Sequence, residues 1–354
     1  VNEEMRNTAT DVHLPSMRYV RVPRPMGEQA RRELASKGAV IKEARILEEG
    51  EDVLIPVTDE VDDALASRLD GNLVEGAAVP RPTYRPPYKQ VQELWGGRPG
   101  SEHLPRKWEL LGNVLVVRIP AELQAHKSLL GSIYAQALGA RTVCQELGPI
   151  AGAYRTPQVQ VIFGSGTETM HKENGIIYKL DVARVMFSSG NMAEKKRMSE
   201  LDCAGETVVD MFAGIGYFTL PLAVHAKAAK VIACEINPIA HSYLVQNIAL
   251  NHVEEVVRPV LGNNRDLPGE GIADRVLMGY VGDVARFLPK AFALVRPGGV
   301  VHYHETGPID EFPERPMARI EQASDGRKVE FLRKAEVKSY APAISHYVID
   351  FRAY

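Results

Sequence analysis

Cysteine is scarce in this 354-residue chain: Cys144, Cys203 and Cys234 stand far apart, with no C-x-x-C pair among them. That spacing excludes a disulfide framework and suits a reducing, cytoplasmic setting. No apolar stretch of about 18 residues occurs, and the acidic start at Glu3 and Glu4 is not followed by the apolar stretch of a secretory leader. Membrane and secretory readings fall away. An excess of either charge is also lacking, since 42 basic and 45 acidic residues leave a formal net charge of −3. The totals therefore do not announce a polyanion partner, although a local basic face would be hidden in such a sum. What is there, 45% hydrophobic residues in a chain longer than one typical core, describes a globular protein of two or three modules.

The pattern along the chain divides accordingly. Arg18 to Pro23 reads as a strand, Gly27 to Lys37 as a helix, and Ala44–Leu47 and Val53–Val57 as two more strands, a small βαββ module expected over 1–75. Prolines 80, 82, 86, 87, 99 and 105 with Gly96-Gly97 then predict a linker over 76–105. From Val79 to Lys127, Arg81, Arg85, Lys89, Arg98, Arg106, Lys107, Arg118 and Lys127 are interleaved with Tyr84, Tyr88, Trp95 and Trp108. Cations with aromatics are what single-stranded RNA needs, for its phosphates and its base faces; the alternative is a merely solvated stretch. A middle α+β module is expected over 106–185, with a helix from Ala121 to Leu138 and a hairpin turning at Asn174-Gly175. From Glu206 strands and helices alternate regularly, which predicts an α/β, doubly wound parallel sheet over 186–354. The last two strands, Val329–Lys338 and His346–Phe351, suit an antiparallel edge.

In such sheets ligands bind beyond the carboxyl ends of the strands, and the informative residues fall there. Asp210-Met211-Phe212-Ala213-Gly214-Ile215-Gly216 closes one strand and opens a helix, with glycines that let backbone approach a ligand. A dinucleotide fingerprint would need a third glycine where this chain has Thr219. The next strand ends at Glu235, a carboxylate placed to accept from both hydroxyls of a ribose. The third ends in Asn263-Asn264, whose amides offer a donor and an acceptor to an adenine edge. Together these make one nucleoside pocket.

Those motifs, with Phe187-Ser188-Ser189-Gly190-Asn191-Met192-Ala193-Glu194-Lys195-Lys196-Arg197, resemble the class I methyltransferase-like (Rossmann-like) superfamily. Within it they resemble the pair of families that modify tRNA position 37, over roughly Val114 to Tyr354. The resemblance implies S-adenosyl-L-methionine as co-substrate, bound by Ser188, Lys195, Phe212, Gly214, Glu235, Asn263 and Asn264. Lys195 stands where an arginine is usual, and Asn263 where an aspartate is common. The guanine-37 N1-methyltransferases end their fourth strand in Asn-x-Pro and carry an arginine in the cofactor loop. This chain has Leu277-Met278-Gly279-Tyr280-Val281 and Gly190 at those places. Ala273 to Tyr280 and His302-Tyr303-His304-Glu305 instead resemble the wybutosine-synthesising aminocarboxypropyltransferases. By that resemblance the chain transfers the aminocarboxypropyl group to 4-demethylwyosine at position 37 of tRNA(Phe), with no obligate protein partner. It gives no name to a general base.

Three features carry a second reading. His302 and His304, two apart on a strand, have metal-ligand spacing without a third ligand, so packed or hydrogen-bonded histidines are expected and no metal. Tyr340 before Ala341-Pro342 is either packing or a platform for a flipped base. The first module either grips the tRNA body or only stabilises the fold.

Overall fold

Val20 and Val22 point to one face of strand β1 (Ser16–Pro23) and build the core of the first of two units into which the chain divides, Val1–Pro86 and Pro87–Tyr354. The computed structural model describes residues 16–81, 85–152, 154–280 and 282–354. In the first unit β1 is followed by α1 (Gly27–Ser36), β2 (Leu47–Glu49), β3 (Asp52–Val57), α2 (Asp63–Arg68) and β4 (Asn72–Ala77). The strands pair antiparallel in the order β2-β3-β1-β4, with Ile55 and Val57 packing on Ala30, Leu34 and Ala66 of the helices. The unit has one helix, α2, and one strand, β4, beyond the expected βαββ pattern. α2 is only six residues long and carries little periodicity, but Asp62 caps it by accepting from Leu65 N at 2.8 Å. The strand expected over Ala44–Leu47 begins at Leu47, and Ala44 makes only an isolated bridge to Pro80.

The expected linker is corrected from Pro87 onward. Proline at the start of a helix removes an N–H that would have no partner within the helix, so Pro87 opens α3 (Pro87–Trp95) instead of breaking it. Val91 and Trp95 are fully buried, and Trp95 Nε1 donates to Arg98 O at 2.9 Å. Trp108 meets Tyr134 edge-on at 5.9 Å, and Tyr88 packs against the same core. The aromatics offered as stacking platforms are thus largely core; Tyr84 lies outside the described residues. This core also holds β5 (Trp108–Leu111), β6 (Val114–Val117), α4 (Lys127–Leu138), β7 (Thr142–Ala151) and β8 (Thr156–Phe163), the strands ordered β5-β6-β7-β8. The single helix expected over Ala121–Leu138 is a 3-10 segment, Ala121–His126, followed by α4.

The hairpin of β9 (Glu168–Glu173) and β10 (Ile176–Asp181) turns at Asn174 and Gly175, with φ of 49° and 78°. Next come α5 (Met192–Ser199), β11 (Thr207–Asp210), α6 (Thr219–Val224), β12 (Lys230–Glu235), α7 (Pro238–Leu250), β13 (Val257–Leu261), β14 (Ala273–Met278), α8 (Leu288–Leu294), β15 (Val295–Pro308), α9 (Glu314–Ala323), β16 (Val329–Ala341) and β17 (Ile344–Ala353). The sheet has the order β13-β12-β11-β14-β15-β17-β16, parallel through β15 and antiparallel at β17 and β16. The doubly wound α/β expectation holds, and the terminal strands do form the antiparallel edge. The hairpin is docked by side-chain amides: Asn247 accepts from Lys179 N at 2.7 Å and Asn251 from Ile177 N at 2.9 Å. Two asparagines so satisfy the open edge of β10 that would otherwise invite another strand. Among the described residues no helix is long and apolar enough to cross a membrane.

Candidate functional site: a nucleoside cavity at the switch point of the sheet

Strand order reverses between β11 and β14, and the crevice that such a reversal opens holds a cavity of about 350 Å³. Asp210 lies beneath it. That carboxylate is buried, accepts from Thr219 Oγ1 at 2.8 Å and Phe212 N at 3.2 Å, and is pushed up to about 6 by burial. It braces the turn and is not among the groups lining the cavity. After it, Gly214 has φ of 57°, and a Cβ there would lie 2.5 Å from the Tyr217 ring. Glycine is required, and its bare N–H donates to Glu235 Oε2 at 2.8 Å while Asn237 N donates to Oε1 at 2.7 Å. Burial pushes the Glu235 carboxyl up, opposed by these N–H groups and that of Ile236. A carboxylate has about four lone-pair sites, so these N–H groups still leave capacity for a hydroxyl of a ribose.

The next strand end completes a base site. Asn263 accepts from Arg265 N at 3.1 Å, closing a short 3-10 turn. Asn264 donates to Met211 O at 2.9 Å, which fixes the amide and leaves its Oδ1 buried with no partner among the described residues. A lone buried acceptor is costly unless a ligand donor reaches it, and an exocyclic amine fits. Phe212 stacks on Tyr280 at 5.1 Å and meets Phe287 edge-on at 5.0 Å, giving the apolar walls of a flat ring site. The residues present therefore fit an adenosine moiety.

Ser188, Phe212, Gly214, Glu235, Asn263 and Asn264 all line the cavity. Lys195 does not. Its ammonium is buried between Glu173, at 2.8 and 2.9 Å from the two carboxylate oxygens, and the Phe187 ring, at 4.4 Å. Burial lowers its proton affinity against the pull of Glu173. The expected contact is corrected for a physical reason: β9 supplies a carboxylate that claims the charge first. Sequence reading missed Arg155, Phe287 and Lys338, which also line the cavity, because they come from the end of the β7–β8 turn, the start of α8 and the far strand β16.

Behind the cavity wall lies a second polar cluster. Phe218 lines the cavity and stacks on His304 at 5.3 Å. His302 Nε2 sits 2.8 Å from Arg275 Nη1, which can only donate, so the ring is neutral and its Nδ1–H donates to Asp350 at 2.6 Å. Arg275 is held by Glu206 at 2.7 and 2.9 Å, and Arg197 bridges Asp350 at 2.7 Å to Glu194 at 2.9 Å. Burial would raise the Asp350 carboxyl, but His302 and Arg197 outweigh it and hold it well below the usual carboxylate range. His302 serves this network directly, and His304 faces its Glu194 at 3.5 Å through Nε2 while its Nδ1 meets His346 at 3.1 Å.

Residues 169–332 match the family model described as the TRM5/TYW2 methyltransferase domain, residues 97–167 the TYW2 N-terminal domain, and residues 20–65 the tRNA methyltransferase 5 N-terminal domain. A tRNA(Phe) (4-demethylwyosine(37)-C(7)) aminocarboxypropyltransferase of Pyrococcus horikoshii is 44% identical over 253 residues, covering 71% of this chain and 90% of the relative. The tRNA (guanine(37)-N(1))-methyltransferase Trm5b of Pyrococcus abyssi is 37% identical over 337 residues, covering 94% of this chain and 98% of that one. Among solved structures, P. horikoshii TYW2 in complex with MeSAdo superposes with a TM-score of 0.69 at 40% identity, covering 75% of this chain and 99% of the other. The match to Trm5b is longer, and residues 20–65 match the tRNA methyltransferase 5 N-terminal domain, but the identity to the aminocarboxypropyltransferase is higher, 44% over 253 residues against 37% over 337, and β14 is followed by Gly279-Tyr280 rather than Asn-x-Pro. The chain belongs to the TYW2 family of tRNA wybutosine-synthesising aminocarboxypropyltransferases.

Proposed function

We propose that this chain transfers the 3-amino-3-carboxypropyl group of S-adenosylmethionine to the ring carbon of 4-demethylwyosine at position 37 of tRNA(Phe), in the anticodon loop, in the cytosol and without an obligate protein partner. One observation carries the choice over methylation of guanine. Where β14 runs out, a Cβ at Gly279 would lie 2.6 Å from Phe218, a ring already pinned on His304, so no amide side chain fits to hold a guanine. S-adenosylmethionine supplies a sulfonium that activates the carbons around it. The C–S bond to the transferred chain breaks with its electrons staying on sulfur, a C–C bond forms at the base, the ring carbon loses its proton, and methylthioadenosine is the second product. Glu235 would hold the ribose, Asn264 Oδ1 the adenine amine, and Phe212 with Tyr280 the ring face. Fixing the donor in line with the acceptor carbon contributes roughly 7 to 11 kcal/mol by alignment alone.

Incubation with tRNA carrying 4-demethylwyosine should release methylthioadenosine, read by chromatography. S-adenosylhomocysteine in its place would sink the reading. We further read the first unit as a grip on the tRNA body, supported by the match of residues 20–65 to the tRNA methyltransferase 5 N-terminal domain. Such a grip raises effective concentration without touching the reacting atoms. Deleting residues 1–86 should raise the tRNA KM and leave S-adenosylmethionine affinity intact; an unchanged KM rules the grip out.

A further inference from the structure

Two lysines approach the end of the cavity roofed by the 188–191 turn, and their surroundings separate them. Lys195 is closed off by Glu173 and Phe187. Lys338, near the end of β16, lines the cavity half-buried. Its Nζ lies 2.6 Å from the point where a Cβ at Gly190 would sit, so the ammonium occupies the space that the missing side chain opens. Among the described residues it makes no hydrogen bond or ion pair. Burial destabilises its charge most, the Glu109 carboxylate opposes that, and the positive charges of Lys195 and Arg155 add to it. Arg155 lines the same cavity. A cation so placed favours an anion entering from the cavity.

The neighbouring residue supplies the complement. Asn191 also lines the cavity, and its Oδ1 is buried without a partner among the described residues. A free acceptor next to a free cation matches an α-amino acid, which offers an ammonium and a carboxylate on one carbon. We propose that Lys338 and Asn191 bind the amino-acid end of S-adenosylmethionine, Lys338 taking the carboxylate and Asn191 Oδ1 the ammonium. With Glu235 on the ribose, the co-substrate is held at both ends and the chain to be transferred is stretched between them. The inference rests on S-adenosylmethionine being the co-substrate, and it moves to Lys338 the role that the resemblance gives Lys195.

Methylthioadenosine has the same nucleoside and sulfur but no amino-acid end, so it is the control ligand. Calorimetry on the full chain should show Lys338→Met weakening S-adenosylmethionine about tenfold or more while methylthioadenosine stays within about twofold, with Lys338→Arg recovering part of the loss. Asn191→Leu should weaken S-adenosylmethionine severalfold with the same selectivity. Unchanged S-adenosylmethionine affinity in Lys338→Met overturns the proposal, as does an equal loss of both ligands by a variant that melts like the wild type. If Lys338→Met lost tRNA affinity and kept the co-substrate, the lysine would serve a phosphate instead, and the proposal would fall. Should Lys338→Met not fold, Lys338→Arg and Asn191→Leu decide by the same ratio. Wild-type binding of both ligands with S-adenosylhomocysteine as product would sink the proposed reaction and leave this anchor standing.

Discussion

Two buried polar clusters lie on the same sheet, one around Glu235 and Asn264 and one around His302 and Asp350, and they differ in what they leave unsatisfied. In the second, nearly every donor and acceptor is consumed within the cluster: Asp350 by His302 and Arg197, Arg275 by Glu206 and His302. Two ring nitrogens remain, His304 Nε2 and His346 Nδ1. Burial keeps both rings neutral, so each has one N–H to place. If His346 Nε2–H donates to His304 Nδ1, His304 Nε2–H faces Glu194 at 3.5 Å, and only a lone pair on His346 is left over. In the first cluster the amide oxygen of Asn264 has no partner among the described residues, and it and the Glu235 carboxylate belong to residues that line a cavity. Both gather polar side chains away from water; the remainder is what marks a ligand site.

The largest expected effect falls on the closed cluster. Asp350→Ala removes the acceptor between two buried donors, Arg197 and His302, and leaving such a pair half broken should cost about 3 kcal/mol of folding stability. Thermal or urea unfolding measures it, and S-adenosylmethionine affinity of the folded fraction should be close to wild type. A stable variant that has lost the co-substrate would erase the distinction drawn above.

Glu235→Ala should show the reverse. Two ribose hydroxyls would lose a charged acceptor, so affinity for S-adenosylmethionine should fall by about 2 kcal/mol, read by calorimetry. The backbone N–H groups of Gly214 and Asn237 also lose their acceptor, so some loss of stability accompanies it, smaller than for Asp350→Ala because both residues line the cavity. Unchanged affinity would remove Glu235 from the site.

The open cluster was legible in the sequence and the closed one was not, for a physical reason. Gly214, Glu235 and Asn264 sit at strand ends, where the alternation of strands and helices fixes position without knowledge of any distant contact. His302, Asp350 and Arg197 belong to three separate elements and Glu206 to the loop before β11, and only the insertion of β17 between β15 and β16 brings the first two together. The same holds for Lys338 and Arg155, which no spacing links to the cofactor turns. Lys195 shows the opposite failure: its motif position was clear, but the partner that takes its charge, Glu173, comes from a hairpin outside the motif. Local chemistry also misled at Pro87, where a residue counted as a breaker is a helix start.

The basic stretch from Arg81 to Lys127 gives the comparison its finest test, because its cations divide the same way. Arg118 pairs with Glu146 at 2.7 Å, Lys127 Nζ donates to Gln160 at 2.9 Å, and Arg98 donates to the carbonyls of Trp95 and, at 3.3 Å, Leu94. Lys89 and Lys107 are exposed and, among the described residues, make neither hydrogen bonds nor ion pairs. Arg106 covers the Tyr88 ring at 5.2 Å and, among the described residues, keeps its donors. If leftover capacity marks function, phosphate contact belongs to Lys89, Arg106 and Lys107. Each phosphate contact removed lowers the log–log salt slope of tRNA binding by about 0.7 to 0.9. Neutralising these three to glutamine should therefore flatten the slope, while the same change at Arg98 and Arg118 should leave it unaltered and act on stability alone. Filter binding between low and moderate salt reads both sets. Equal flattening by the two sets would mean that tRNA displaces the protein's own partners, and that an occupied cation is no guide to where the nucleic acid lies.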